Sequence, residues 1–229
     1  MELSKKWMEA SVLRPTQITV GLVESKKKRQ RMELMSAPDS REWLAEHPVP
    51  AVIAPSGKRR IFDHHHLARA VMDGGFGCVL VDTVDDFSKM SKSEFWAEMV
   101  VRHWAHPHGA SGELLTCESI PKCVSELIDD PYRSLAGLAR EAGAYAKTQA
   151  PFAEFTWADF FRANLPGVVS GKHFESQLAE AILLARCELA AQLPGFIARA
   201  ANAPPHMANA TALSSRQPIH QADQGALGA

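Results

Sequence analysis

The sequence predicts an α+β protein, with a small α/β unit over residues 1–115, a helical part over 116–203 and a disordered tail over 204–229. Three observations carry that prediction. Residues 50–54 and 59–62 are β-prone runs joined by Pro55-Ser56-Gly57-Lys58, the pattern of a hairpin. Residues 78–84 read as a buried strand between two helical segments. Every element after residue 115 reads as a helix, and from Pro204 onward large apolar groups are too few to order the chain.

Taken in order, Gln17-Ile18-Thr19-Val20-Gly21-Leu22-Val23 reads as the first strand. Glu24 and the basic run Lys26-Lys27-Lys28-Arg29-Gln30-Arg31 follow, continuing as a helix to about Met35. Pro38-Asp39-Ser40 breaks that helix, and residues 41–46 form another. After the hairpin, Asp63 is the natural N-cap of a helix whose Leu67, Ala70 and Val71 share one face; Gly74-Gly75 ends it. Ser91 and Glu94 form a capping box for a helix to about Trp104. Asp130-Pro131 sets an N-cap before a proline at the first helical position, for a helix to about Lys147. Thr156 caps a helical segment from Trp157 to Arg162, and a long Ala- and Leu-rich helix spans about 174–200.

The 229 residues suffice for one good core with an appended helical part. A net charge of -1 provides no global basic field, so nucleic-acid binding would need a local patch. Cys78, Cys117, Cys123 and Cys187 form no CxxC pair and read as reduced, structural thiols. No apolar run of about 18 residues and no leader-like h-region occurs, so a soluble, cytoplasmic protein is expected.

Chemistry concentrates at Ile61-Phe62-Asp63-His64-His65-His66-Leu67, where a strand delivers the chain into a helix whose first turn carries three histidines. The first N–H groups of a helix are unpaired and sit at the positive end of its dipole, so such a turn favours phosphate. Three consecutive histidines point in three directions, so at least one is structural. Asp63-His64-His65 also matches the motif of DHH phosphoesterases, but no Asp-x-Asp precedes it and paired metal ions are not expected.

Four segments carry a family resemblance. They are Val20-Gly21-Leu22-Val23-Glu24 with its basic continuation, Ile61-Phe62-Asp63-His64-His65-His66-Leu67-Ala68, Asp129-Asp130-Pro131-Tyr132-Arg133-Ser134-Leu135-Ala136-Gly137, and residues 151–162 from Pro151 to Arg162. With these the chain resembles a bacterial ParB-like nuclease family of the ParB/sulfiredoxin superfamily, often labelled chromosome partitioning proteins. The superfamily includes classical ParB, which hydrolyses CTP, sulfiredoxin, which uses ATP, and free-serine kinases. The resemblance implies a ParB/sulfiredoxin-like fold for the α/β unit. Similarity to the kinases implies Glu24 as a base, with Asp63, His65 and His66 at the nucleotide phosphates or their metal. Two departures stand out: His64 replaces a Gly of the kinase motif Asp-Gly-His-His-Arg, and Leu67 replaces its Arg. Arg69, Lys26 or Lys27 would then supply the missing cation, and serine does not carry over as acceptor.

The resulting expectation is a nucleotide-dependent phosphotransferase or hydrolase taking ATP, ADP or CTP with magnesium. Its catalytic set would be Glu24, Asp63 and His65, with His64, His65, His66, Lys26 and Arg69 binding phosphate. The alternatives are a DNA-binding partition protein or nuclease, and an inactive interaction module. Residues 116–203 show no clear helix-turn-helix for duplex DNA. His103, His106 and His108 read as a helix C-terminus followed by a loop, with a metal site as the alternative. Tyr132 and Arg133 read as locking the helical part onto the sheet, and Trp157, Phe160 and Phe161 as core.

Overall fold

The computed structural model describes residues 4–165, 167 and 173–198; the tail expected over 204–229 lies outside the described residues. The main elements are β1 (Lys5–Glu9), β2 (Thr19–Val20), α1 (Leu22–Glu33), α2 (Ala37–Glu46), β3 (Val49–Ile53) and β4 (Arg59–Ile61). They continue as α3 (His65–Asp73), β5 (Cys78–Asp86), α4 (Lys92–Val101), β6 (Ile128–Asp129), α5 (Pro131–Glu141), α6 (Ala153–Asn164) and α7 (Phe174–Leu184).

Four strands form a sheet in the order β1-β5-β3-β4, with β3 and β5 parallel and the other two pairs antiparallel. β3 is covered on both faces, as its nearly continuous apolar sequence requires. Val49 and Ala51 join Leu67, Ala68, Val71, Val79 and Val81 in one core, while Val52 joins Phe87, Phe95, Trp96 and Met99 in another. The expected hairpin is present, with Ala51 opposite Ile61. A third core lies among α5, α6 and α7, where Trp157 and Phe161 are fully buried, as expected of that aromatic run.

The helical part is joined to the sheet part by side chains and by a short ladder. β2 and β6 pair in parallel, placing Thr19 against Ile128 and Val20 against Asp129. The chain through Ala198 is one compact unit. Among the described residues no helix is long and apolar enough to cross a membrane.

Several boundaries differ from the sequence expectation, each for a local reason. A strand not expected from the sequence, β1, precedes the one expected over 17–23; the latter is β2 and stops at Val20 because α1 begins at Leu22, whose N–H is taken by the Asp129 carboxylate at 2.9 Å. Pro38 starts α2 instead of breaking a helix, since Ser36 caps it and proline is tolerated in the first turn. Asp63 is not the N-cap of α3; His64 is, in a left-handed conformation. The Ser91–Glu94 capping box is formed as expected. α5 ends at Glu141, not near Lys147, because Gly143 turns left-handed and its N–H bonds back to Arg140. Thr156 lies inside α6, which starts three residues earlier. α7 stops at Leu184, short of the expected 200.

Candidate functional site

Two helix starts meet in this molecule, and among the described residues side chains take the first N–H groups of only one, α1. At α1 the Leu22 N–H donates to Asp129 and the Val23 N–H donates to Ser134 Oγ at 3.2 Å. Gly21 makes that closeness necessary: a Cβ there would come within 2.7 Å of Ser134 Oγ. At α3 the chain turns instead through Asp63 and His64. The Asp63 carboxylate accepts the His64 N–H at 2.6 Å, which holds His64 at φ 57° and ψ 27°. The next N–H groups, of His65, His66 and Leu67, have no intrahelical partner by position.

The three histidines of this turn take three different roles. His65 is 3% exposed, and its Nε2 accepts the Thr16 N–H at 3.2 Å. Burial pulls its pKa down to about 3, so the ring is neutral and committed to the fold. The His65 ring thus faces Thr16, and only its backbone N–H remains at the turn. His66 brings Nε2 to 3.0 Å from Glu24 Oε2. The His64 ring lies beside Lys28 and His47; burial lowers its pKa, and its Nδ1 is buried without a hydrogen-bond partner.

Glu24 stands at the centre of a buried charged network. Arg133 of α5 donates to the same Oε2 at 2.7 Å. Burial alone would raise the Glu24 pKa, but the His66 and Arg133 charges and the His66 hydrogen bond outweigh it, giving about 2. An ionised acceptor at 3.0 Å makes His66 Nε2 the donor, so the 3.3 Å approach of the Gly21 N–H is the weaker claim on that nitrogen. Gly137 leaves room for this network, since a Cβ there would sit 2.3 Å from the Glu24 carboxyl. Arg133 and His66 both reach the same oxygen, Oε2, and hold the carboxylate in place.

The remaining expected residues separate. Lys26 is exposed on α1; Lys28, which sequence reading did not single out, is half-buried and acts on both Glu24 and His64. Arg69 is committed: it pairs with Asp73 at 2.8 Å and donates to the Leu127 carbonyl at 3.0 Å. Leu67 is buried in the core, so the position of the kinase-motif Arg is occupied by packing. The φ of His64 explains why a Gly is natural there. Asp130 caps α5 and pairs with Arg162 at 2.7 Å; Tyr132 donates to the Leu165 carbonyl at 2.8 Å. Arg133 therefore ties α5 to α1 beside the sheet, whereas Tyr132 reaches only within the helical part and does not lock it onto the sheet. Gly21 and Gly137 were the missed signals, glycines inside or beside helical patterns that mark close approach.

The second histidine group lines a cavity of about 590 Å³ with Phe152 and Phe155. α4 ends at Val101, and His103 closes it in left-handed conformation, with Trp104 N–H reaching the Met99 carbonyl at 2.8 Å. Among the described residues no group of three or more His, Cys, Asp or Glu could hold a metal ion. The four cysteines are free thiols.

Residues 7–163 match the model of a family described as "Putative ParB-like nuclease". The crystal structure of protein Atu1540 from Agrobacterium tumefaciens is 38% identical to this chain, with a TM-score of 0.79 over 86% of this chain and 99% of that one. No curated protein matches the chain.

Proposed function

We propose, from the premise that this chain belongs to the ParB-like nuclease family, that it binds the phosphate end of a nucleotide at the first turn of α3 and transfers or hydrolyses a phosphoryl group there. One observation carries the reading. Of the two helix starts that meet here, α1 is filled by Asp129 and Ser134, whereas α3 offers free N–H groups beside the His64 ring and Lys28. Phosphoryl transfer asks a protein chiefly for positioning and cations, and this turn supplies both.

In this reading the base is His66, with Glu24 and Arg133 as positioning residues. Glu24 accepts the Nε2 proton, which leaves Nδ1 to take a proton from an attacking water or hydroxyl. The oxygen of that group bonds to the terminal phosphorus, the bond to the departing nucleotide oxygen breaks, and the proton resides on Nδ1. Glu24 stabilises the imidazolium so formed, and Arg133 fixes Glu24 from the α5 side. The nucleotide is expected to be ATP, ADP or CTP with magnesium, where Asp63 is the exposed carboxylate beside the turn. The family name favours a phosphodiester as the second reading, and the same turn would serve it.

The test is thermal unfolding with ATP, ADP or CTP, with and without magnesium, and with a short DNA oligonucleotide. Wild type is compared with Lys28→Ala and His64→Gly, since glycine keeps the backbone conformation at that position. A nucleotide at about 100 times its dissociation constant adds roughly 2.7 kcal/mol. Both variants should fold normally and lose most of that gain. An unshifted wild type with every nucleotide would sink the reading, and a shift with DNA alone would replace it by the nuclease one.

A further inference from the structure

The edge of the sheet at β4 carries two arginines that no carboxylate answers. Residues 13–16 run beside β4 and extend it. Arg14 and Arg60 are parallel register partners; the Arg14 N–H donates to the Arg59 carbonyl at 3.0 Å, and the Ile61 N–H donates to the Arg14 carbonyl at 2.9 Å. Partners in register project from the same face of a ladder, which brings the two guanidinium groups to one place. The loop from Cys117 to Cys123 lies against both: Arg14 Nη1 is 3.4 Å from Cys123 Sγ, and the Cys117 thiol acts on Arg60. On the remaining side is α4, where Arg60 sits 4.6 Å from the ring centroid of the buried Trp96.

The pair is short of counter-charge. Among the described residues neither arginine forms an ion pair, and each engages one nitrogen. Arg60 Nη1 donates to the Pro15 carbonyl at 2.7 Å, and Arg14 Nη1 donates to the Cys123 sulfur. Nε and Nη2 of both are unpaired and reach solvent. The loop carboxylates are occupied: Glu118 pairs with Lys92 at 3.2 Å, and Glu126 accepts the Lys122 and Cys123 N–H groups. Arg59 serves Asp86 instead. Burial, then the charge of Arg14, brings the Arg60 pKa down to about 10, as befits a half-buried cation facing another. Two like charges held together away from water cost stability unless an anion stands between them. Two guanidinium forks with open nitrogens can grip a tetrahedral oxyanion from two sides, and two positive charges match a dianion. A monocarboxylate would neutralise one fork and leave the other.

We propose that Arg14 and Arg60 form a binding site for a tetrahedral dianion, a phosphate ion or the phosphate end of a small monoester, between β4 and the Cys117–Cys123 loop. This is an anion site in addition to the first turn of α3. It shares no residue with that turn and does not rest on it.

The experiment is arginine footprinting of the full chain with phenylglyoxal, read peptide by peptide in a mass spectrometer. Labelling rates are followed against inorganic phosphate, sulfate, glycerol phosphate and acetate at constant ionic strength, with the exposed Arg41 as reference. Because the readout is at Arg14 and Arg60 themselves, phosphate held at α3 does not enter it. Phosphate should slow labelling of both arginines together, with one shared midpoint at about 1 mM or below. Sulfate should act like phosphate, acetate should not protect, and Arg41 should keep its rate. Tighter protection by glycerol phosphate than by inorganic phosphate assigns the site to a monoester, and the reverse order assigns it to the free ion. In Arg14→Gln the midpoint at Arg60 should rise roughly tenfold, with melting temperature measured alongside; the wild-type footprint decides if that variant does not fold. No protection at either arginine, equal protection by acetate, or protection of one arginine without the other would each overturn the site.

Discussion

The chain carries two groups of three histidines, and they are built alike but set in opposite surroundings. Each has one buried neutral ring, His65 in the first and His106 in the second, with pKa values brought to about 3 by burial. Each has one left-handed member at a helix end, His64 before α3 and His103 after α4. Each has a buried Nδ1 without a partner, on His64 and on His108. Around the first group stand Glu24, Arg133, Lys28 and Asp63; around the second stand Phe152 and Phe155, with Arg133 between the two groups, 5.2 Å over the Phe155 ring.

The largest expected effect breaks the charged side of that comparison. Arg133→Ala leaves Glu24 buried beside His66 alone, and removing one partner of a buried pair costs about 3–5 kcal/mol. Denaturant unfolding should show this, and the double variant Glu24→Met with Arg133→Met should recover most of it. A loss under 1 kcal/mol for Arg133→Ala would mean that the network is solvated and that Glu24 is free to act as a base. Gly137→Ala tests the same network from the helix side. Alanine normally gains up to about 1 kcal/mol over glycine in a helix, yet here its Cβ meets the Glu24 carboxyl at 2.3 Å, so the variant should lose about 1–3 kcal/mol.

These two residues also show what was legible in the sequence. The hairpin, the capping box at Ser91, the proline start of α5 and the aromatic core at Trp157 depend on neighbours within a few positions, and sequence pattern reaches that far. The site does not. Glu24 and Arg133 are 109 positions apart, and nothing local to Glu24 announces the partner that holds it. The resemblance placed Glu24, Asp63 and His66 in one region, and Glu24 and His66 are in contact at 3.0 Å. It did not show that His65 faces inward to Thr16 or that Arg69 belongs to Asp73. Lys28 went unnoticed because a run of cations gives no sign of which member turns inward.

An intermediate effect sharpens the similarity of the two groups. The neutral rings of His65 and His106 bind no proton in the native state until about pH 3, while the unfolded chain protonates near 6.5. The native state therefore binds fewer protons across this window. Stability is fully present above pH 6.5 and falls as pH drops, by about 1.4 kcal/mol per pH unit for each ring. Glu24 adds its own loss only below about 4.5. Asp129 and Asp130, raised by burial, work in the opposite sense but are common to wild type and variant. Between pH 4.5 and 5.5, His106→Phe should reduce the slope by about one proton and keep the ring stack. An unchanged slope would mean that His106 is protonated in the native state.

The smallest effect separates backbone strain from ligand recognition at the two left-handed histidines. His103 occupies the place after α4 where glycine is the usual residue, and its ring sits at the cavity edge, 6.4 Å from Phe152. His64 occupies the corresponding exception before α3. Replacing either by glycine relieves left-handed strain of about 1 kcal/mol, less the freedom glycine adds to the unfolded chain, so each variant should gain at most about 0.5 kcal/mol. The gains should match, because the strain is the same. Their ligand responses should not: His64→Gly loses the nucleotide-induced rise in melting temperature, and His103→Gly keeps it. If both variants keep that rise, the His64 ring is held in place by packing alone, and phosphate recognition at α3 rests on Lys28 and the backbone N–H groups.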